Sequence, residues 1–226
     1  MTDSAASTRQ TVLVVDDHPL FRKGVRQLLT MADGIDVVGE AGNRSEALEL
    51  ARRYEPDLIL LDLNLKGESG LDILSALKEE DPSRRVVMLT VSDAPDDLIG
   101  AIRAGADGYL LKDMEPEDLL ARVREALSGA TVIGEALASR LASALRQEAR
   151  DSTRTAAREL KDLTDRERAV LRFIAEGQSN KLIARNLSIT EGTVKVHVKH
   201  LLKKLGFRSR VEAAVWASEQ GLRAPA

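Results

Sequence analysis

The first half of the chain alternates short apolar runs with longer segments of helical spacing. The runs are rich in β-branched residues, and the segments between them repeat apolar residues every three or four positions. Strands that are apolar on both faces belong to a parallel sheet with helices on each side. The alternation therefore predicts a doubly wound (βα)5 domain of the α/β class over residues 10–130. Its strands are predicted at residues 11–15, 36–39, 58–61, 86–90 and 108–111.

Strand signals disappear in the second half, where only helical patterns follow. Regularly spaced leucines predict a helix over residues 134–147, and the polar stretch after it predicts an exposed tether, so we assign residues 131–160 to a linker. The helical spacing over residues 161–222 predicts a separate all-α domain, whose first helix begins with a capping box of Thr164 and Glu167. Its four helices are predicted at about 165–176, 180–187, 191–205 and 209–220.

Charge divides the chain at the same place as the periodicity. The net charge of the 226 residues is only −3, but residues 1–130 hold 15 Lys and Arg against 25 Asp and Glu. Residues 131–226 hold 18 against 11. An acidic half and a basic half predict two surfaces with two different partners.

Composition excludes several classes of protein. The chain has no cysteine, which rules out disulfides, thiolate metal sites and cysteine catalysis. Its apolar runs are far shorter than the roughly 20 residues that span a bilayer. Residues 1–10 are polar and lack the apolar core of a signal peptide, so a cytoplasmic location is expected.

Polar residues stand at the carboxyl ends of the predicted strands, where ligands and chemistry collect in an open parallel sheet. Asp16 and Asp17 follow the first strand, and Asp62 follows the third. Thr90 ends the fourth strand, and Lys112 follows the fifth. Clustered carboxylates favour a hard divalent cation, for which Mg²⁺ fits best. A Lys ammonium and a Thr hydroxyl suit phosphoryl oxygens, so the set predicts phosphoryl transfer to a carboxylate.

Each of these residues alone has a simpler explanation. An acid pair after a strand often caps the next helix, and a single Asp is common in loops. Capping does not explain an acid pair, a single acid, a hydroxyl and a Lys at four strand ends. The combination favours a functional site over capping.

Three segments resemble the receiver domain of bacterial two-component response regulators, which has a flavodoxin-like fold. They are residues 12–18 (VLVVDDH), 57–64 (DLILLDLN) and 105–112 (GADGYLLK). Two positions depart from the usual pattern: Asp113 stands where most receivers have Pro, and residues 65–67 read Leu-Lys-Gly in place of Met-Pro-Gly.

The resemblance implies a role for each polar residue at the rim. Asp62 would be the phosphoacceptor for a sensor histidine kinase, Thr90 and Lys112 would contact the phosphoryl group, and Tyr109 would be the switch aromatic. The implied ligands of Mg²⁺ are Asp16, Asp17, Asp62 and the main-chain carbonyl of Asn64.

The basic half contains two predicted helices around a tight turn at residues 188–190, the form of a helix-turn-helix. The second helix buries one apolar stripe and places a basic face opposite it. That face carries Lys195, Val196, Lys199 and Lys203. A solvated basic surface is the simpler interpretation, but an exposed Val among lysines suits a thymine methyl in the major groove.

Residues 163–167, 180–185 and 193–205 resemble the LuxR-type DNA-binding domain, which identifies the chain as a member of the NarL/FixJ class of response regulators. The resemblance implies base contacts in double-stranded promoter DNA from Lys195, Val196 and Lys199. Phosphate contacts are implied for Arg185, Lys203 and Arg208. A homodimer would form through the last helix, at Val211, Val215 and Trp216, although Trp216 is equally suited to anchor the core of the small domain.

The predicted function is a phosphorylation-dependent transcription factor, in which phosphorylation of Asp62 releases the basic domain from the acidic one. The strongest resemblance is to nitrate- and nitrite-responsive members, so nitrate/nitrite-responsive genes are the expected targets; a regulator for another signal is the alternative. A flavodoxin-like phosphohydrolase is a weaker alternative, because such enzymes carry a second Asp two residues after the nucleophile. That position is Asn64 here, so the chain is not expected to be an enzyme.

Overall fold

The computed structural model of the protein describes residues 9–133, 160 and 163–222. The amino-terminal part holds the strands and five helices, and the carboxy-terminal part holds helices. The predicted linker helix at 134–147 and the tether after it lie outside the described residues. Among the residues that are described, no helix is long and apolar enough to cross a membrane.

Six parallel strands form the main sheet, in the order β2-β1-β3-β6-β7-β8. All five predicted strands are present, and the short β8 extends the edge beyond β7. A small antiparallel hairpin, β4 with β5, follows the third strand. Within the described residues the strands are β1 Gln10–Val15, β2 Ile35–Ala41, β3 Leu58–Leu61, β4 Asn64–Leu65, β5 Glu68–Ser69, β6 Val86–Thr90, β7 Gly108–Leu111 and β8 Val132–Ile133.

Helices cover both faces of the sheet, as the apolar strands require. In β1, Val12 and Val14 join the core under α1 and α5, whereas Leu13 and Val15 join the core under α2, α3 and α4. This alternation follows from the period of two along a strand. The helices of this domain are α1 Pro19–Thr30, α2 Arg44–Tyr54, α3 Gly70–Glu80, α4 Pro95–Ala104 and α5 Pro116–Ser128.

The carboxy-terminal helices surround one apolar core. The predicted capping box is confirmed, since Glu167 N donates to Thr164 Oγ1 and Thr164 N donates to the Glu167 carboxylate. The predicted apolar stripe of the third helix is buried in full. The helices are α6 Asp165–Ala175, α7 Asn180–Leu187, α8 Glu191–Leu205 and α9 Arg210–Glu219.

The two domains contact each other at the amino ends of the strands. Helix α9 packs against α4, and its Val211 joins the apolar core of the amino-terminal domain. Gly129, which ends α5 at φ +103, has no room for a side chain, because a Cβ there would lie 2.6 Å from Asn180 N. The carboxy-terminal domain therefore lies at the opposite end of the sheet from the polar rim.

Candidate functional site: an acidic pocket and a basic helix

Main-chain ladders hold the polar rim in place. Asp62 N donates to Val15 O at 2.9 Å, which continues the β1–β3 pairing one residue past the strand. Asp16 N donates to Ala41 O at 3.0 Å in the same way. Because parallel strands end at one edge, these ladders bring together carboxylates that are 46 positions apart in the sequence.

Four acidic or imidazole side chains could share one metal ion. Ligand atoms of Asp16, Asp17, His18 and Asp62 lie within 4.8 Å of one another. Asp16 and Asp62 are buried, at 2% and 4% exposure. The Asp17 Oδ1 atom is also buried and accepts no hydrogen bond from the described residues, although His18 Nδ1 lies 2.8 Å from it.

This oxygen-rich set fits Mg²⁺, because an unsatisfied buried carboxylate oxygen is a ready ligand for a hard cation. Asp16, Asp17 and Asp62 would hold the ion, with the carbonyl of Asn64 at the start of the exposed β4–β5 hairpin. His18 caps α1 through its backbone, and its side chain is mostly exposed.

Lys112 lies between the buried acids. Its Nζ is 2.6 Å from Asp16 Oδ2 and 2.7 Å from Asp62 Oδ2. Burial alone lowers the pKa of the Lys112 ammonium, but the two carboxylates outweigh it and the pKa is raised. For Asp62 burial has the larger effect, and its pKa is raised despite the hydrogen bond from Lys112. The pocket thus pairs a permanent cation with a carboxylate whose charge is incompletely stabilised.

Thr90 and Tyr109 lie beside the pocket and are connected through the loop after β6. Thr90 is fully buried, and its Oγ1 accepts a hydrogen bond from Ser92 N at 3.2 Å. The Tyr109 hydroxyl donates to Ser92 O at 3.0 Å, and burial raises the pKa of Tyr109 to about 12. Both residues therefore hold Ser92, in the loop three residues before α4.

Gly70 is a residue of the site that sequence reasoning missed. A Cβ at this position would lie 2.1 Å from Asp62 O and 2.8 Å from Leu63 Cα. Gly70 N donates to Leu63 O at 2.7 Å, which fixes the start of α3 directly against the backbone of Asp62 and Leu63. Only glycine permits this approach.

In the carboxy-terminal domain, α7 and α8 form the predicted helix-turn-helix. Ser188 makes the turn in the left-handed region at φ +53, and Thr190 caps α8 by accepting a hydrogen bond from Thr193 N. On the α8 face opposite the core, Val196 is 51% exposed. This geometry fits insertion of α8 into a major groove.

Two protein-family models match the chain: the response regulator receiver domain over residues 12–124, and the luxR family of bacterial regulatory proteins over residues 161–217. The chain belongs to the LuxR-type response regulators. Its first domain is accordingly a receiver domain, a class that uses acidic residues of this kind to bind Mg²⁺. Its second domain is a LuxR-type DNA-binding domain.

Similar proteins include nitrate/nitrite response regulators. NarL from Escherichia coli K12 is 52% identical over 210 residues, which cover 93% of this chain and 95% of the relative. NarP from the same organism is 48% identical over 209 residues, which cover 92% and 94%. A crystal structure of a LuxR-family response regulator from Aurantimonas sp. SI85-9A1 is 30% identical with a TM-score of 0.57 and covers 61% of this chain and 99% of that chain. The relatives are transcriptional regulators rather than enzymes.

Two lysines on the basic face of α8 contact the receiver domain. Lys195 forms an ion pair with Asp57, just before β3, and Lys199 Nζ lies 2.9 Å from Asp81 Oδ2. Burial alone would raise the pKa of Asp57, but hydrogen bonds from Lys195 and Thr11 outweigh it and the pKa is lowered. Two predicted base-reading side chains therefore already have receiver carboxylates as partners.

The remaining predicted DNA contacts are distributed around this interface. Arg185 and Lys203 are exposed, and Arg208 lies against Gly105 of the receiver, where a Cβ would be 3.1 Å from Arg208 O. Sequence reasoning found these basic residues but missed Asp57 and Asp81. The only signal for the two acids was the excess of negative charge in the first domain.

The predicted dimerisation residues divide between two cores. Val211 packs into the receiver core, whereas Trp216 packs on the DNA-binding core, with its ring centroid 5.5 Å from that of Phe207. Val215 is half-buried. The packing role proposed for Trp216 is present in this structure, and Val211 is covered as long as α9 rests on α4.

Proposed function

We propose that a sensor histidine kinase phosphorylates Asp62. Phosphorylation converts the closed arrangement, in which the two domains contact each other, into a dimeric form that binds promoter DNA. The observation that carries the proposal is the pocket of Asp16, Asp17, Asp62 and Lys112. Mg²⁺, when bound, would neutralise charge on the phosphoryl group. An Asp62 oxygen attacks phosphorus, a phosphorus–oxygen bond forms, and the bond to the kinase histidine breaks. Lys112 and the Thr90 hydroxyl then hold the new phosphoryl oxygens.

An exposed apolar surface beside the pocket supports docking of a kinase. Leu20, Met31 and Val91 are 85%, 79% and 76% exposed. They line a shallow cavity of about 830 Å³ between α1 and the start of α5, which also reaches His18 and Lys112. An apolar patch next to a reactive group is typical of a protein-binding surface.

The closed arrangement supports a resting state that cannot read DNA. Lys195 and Lys199 contact the receiver, so α8 cannot enter a major groove without breaking both ion pairs. The same movement would uncover Val211 for a dimer interface. The linker predicted at residues 131–160 would allow the domains to separate, except that Val132 and Ile133 pair with β7 and stay with the receiver.

A contiguous set of contacts connects the pocket with the docked domain. Thr90 and Tyr109 hold Ser92, Ser92 Oγ donates to Asp97 in the first turn of α4, and α4 packs against α9. A phosphoryl group on Asp62 that draws Thr90 toward it would shift this loop and loosen the α4–α9 contact. Such a change favours the open state over the closed one.

The signal is proposed to be nitrate or nitrite, because NarL and NarP are named for that response and share about half of their residues with this chain. None of the roles proposed here for the described residues involves nitrate, so the kinase would be the sensor. A response to another signal is the alternative.

Footprinting on promoter DNA tests the proposal. Protein treated with acetyl phosphate and Mg²⁺ should protect its sites at lower concentration than untreated protein, and Asp62→Asn protein should behave as untreated under both conditions. Equal protection by the treated variant and the treated wild type would overturn it. Incubation with the kinase and nitrate or nitrite, compared with no signal, separates the two signal alternatives.

A further inference from the structure

A second polar cluster lies between the two domains, at the end of the sheet away from the acidic pocket. It surrounds a cavity of about 240 Å³. The receiver contributes Arg85 and Asp107 to its walls, and the DNA-binding domain contributes Asn180 and Arg210. The function proposed above uses none of these four residues.

The carboxylate of Asp107 is already engaged. Its Oδ2 accepts a hydrogen bond from Lys78 Nζ at 2.7 Å and another from Val86 N at 3.0 Å. Lys78 and Asp107 are 3% and 5% exposed, so they form a buried ion pair. The single negative charge of Asp107 therefore has three cations near it, which are Lys78, Arg85 and Arg210.

The two arginines at the cavity have neutral hydrogen-bond partners. Arg85 Nη2 donates to the carbonyls of Gly129 and Ala130 at 2.8 and 3.2 Å, and its buried Nε has no partner among the described residues. Arg210 is 5% exposed and donates to Asn180 Oδ1 at 2.8 Å and to the carbonyl of Gln178. Burial and the charge of Arg85 lower the pKa of Arg210 to about 9.

The other charged groups around the cavity do not balance the positive charges of Arg85 and Arg210. Asp57 and Asp81 are paired with Lys195 and Lys199, and Arg84 is paired with Glu80. Glu55 lines the outer wall and is exposed. Within the described part of the chain, Arg85 and Arg210 therefore line one cavity from the two sides of the domain boundary, without a carboxylate of their own.

We propose that this cavity binds a small divalent oxyanion, of the sulfate or hydrogen phosphate kind, between the guanidinium groups of Arg85 and Arg210. Guanidinium groups bind such ions through paired N–H donors. Two excess positive charges match a dianion, and the volume has room for the ion with water, since a water molecule occupies about 30 Å³.

An ion held by one arginine from each domain stabilises the closed arrangement, because opening separates its two partners. High concentrations of the anion would therefore oppose DNA binding by the unphosphorylated protein. This effect on DNA rests on the proposed closed resting state, whereas binding of the ion itself does not.

Isothermal titration calorimetry with sodium sulfate tests the site on the full-length unphosphorylated protein, at constant ionic strength without Mg²⁺. We expect saturable binding of one ion and displacement by hydrogen phosphate. Arg85→Gln should weaken binding at least tenfold. Arg122 is 40% exposed and pairs with Glu125 on α5, so Arg122→Gln should leave sulfate binding unchanged. Equal sulfate binding by the two variants, or absence of saturation in wild type, would overturn the proposal.

Competition in the wild-type protein gives a test that needs no variant. Chloride and nitrate, at the same ionic strength, should displace sulfate poorly because each carries one charge. Displacement by either at the concentration needed for hydrogen phosphate would contradict a site for a dianion.

The role in closure has its own readout. Replacing chloride by sulfate at constant ionic strength should weaken promoter binding by the unphosphorylated wild type more than by Arg85→Gln. An equal effect on both would show that the ion does not hold the domains closed. Failure of the proposed function would appear separately, as loss of the acetyl phosphate response with the sulfate titration unchanged.

Discussion

Lys199 Nζ lies 2.9 Å from Asp81 Oδ2, across the boundary between the DNA-binding domain and the receiver. The Lys199 side chain is half exposed, so this ion pair is reached by water and is individually weak. Its importance is positional, because one ammonium group cannot bind the receiver and a base edge at once. Weak pairs of this kind suit the proposed switch, in which one phosphoryl group on Asp62 would open the interface.

Removing the carboxylates of Asp57 and Asp81 should raise the affinity of the unphosphorylated protein for promoter DNA. Each exposed ion pair contributes about 0.2–1 kcal/mol, so Asp57→Asn with Asp81→Asn should raise promoter affinity about 2- to 30-fold. Fluorescence anisotropy with a labelled duplex measures the change. The exposed acids Asp33 and Asp36 supply a charge-matched double variant, and an equal rise in that control would attribute the effect to net charge alone.

Gly129→Ala should open the protein by direct collision, because its Cβ would lie 2.6 Å from Asn180 N. Gly34→Ala is the matched control, since Gly34 also has a positive φ, of +85, but open space around it. Both should lose about 1–2 kcal/mol of stability from backbone strain, measured by urea unfolding. Only Gly129→Ala should gain promoter affinity without phosphorylation. A similar gain in Gly34→Ala would show that strain, not contact, loosens the interface.

Gly70→Ala should impair acceptance of the phosphoryl group. The added Cβ would lie 2.1 Å from Asp62 O, so either α3 or the Asp62 backbone must move. We expect a stability loss of about 1–3 kcal/mol and slower labelling by acetyl phosphate, followed on phosphate-affinity gels. Gly24→Ala in α1 meets nothing within 4 Å and should label at the wild-type rate. Normal labelling of Gly70→Ala would mean that the close approach does not position Asp62.

Lys199→Ala and Arg185→Ala should weaken DNA binding in different ways. In phosphorylated protein, loss of a base contact from Lys199 should cost about 1–3 kcal/mol on the specific site and little on random DNA. Loss of a phosphate contact from Arg185 should weaken both alike. Competition between specific and random duplexes distinguishes them, and a uniform loss for Lys199→Ala would reassign it to the backbone.

Glu80 should contribute to stability over a defined range of pH. Hydrogen bonds from Arg52 and Arg84 lower its pKa from 4.5 to about 2. A carboxyl pKa that is lowered in the folded state gives stability that is fully present above about pH 4.5 and lost as pH falls through 2. Because Arg52 is 61% exposed and Glu80 is 27% exposed, water screens their attraction, and Glu80→Gln should cost no more than about 1 kcal/mol. Urea unfolding should show that wild type and Glu80→Gln differ in free energy of unfolding by a constant amount between pH 7 and 5. This difference should narrow in more acidic buffer. The same difference at every pH would exclude the ion pairs as its cause.

Local patterns were sufficient to predict the receiver fold and its pocket. Runs such as Leu58–Leu61 are apolar on both faces, and only a covered parallel sheet buries them. Once the strands are placed, their carboxyl ends meet at one edge, so Asp16, Asp62 and Lys112 converge wherever the helices lie. The capping box at Thr164 and the buried stripe of α8 follow in the same way from short-range spacing.

The tertiary structure decided which groups of the two domains meet. The sequence showed an acidic and a basic half. Attraction between two net charges does not specify which residues meet and is compatible with many orientations. Lys195 and Asp57 are 138 positions apart, and Lys199 and Asp81 are 118 apart. Packing of α9 on α4 and the close approach at Gly129 select one orientation, since dense apolar contacts tolerate few arrangements. That orientation brings Arg85 and Arg210 to one cavity and places Lys195 and Lys199 of α8 against receiver carboxylates.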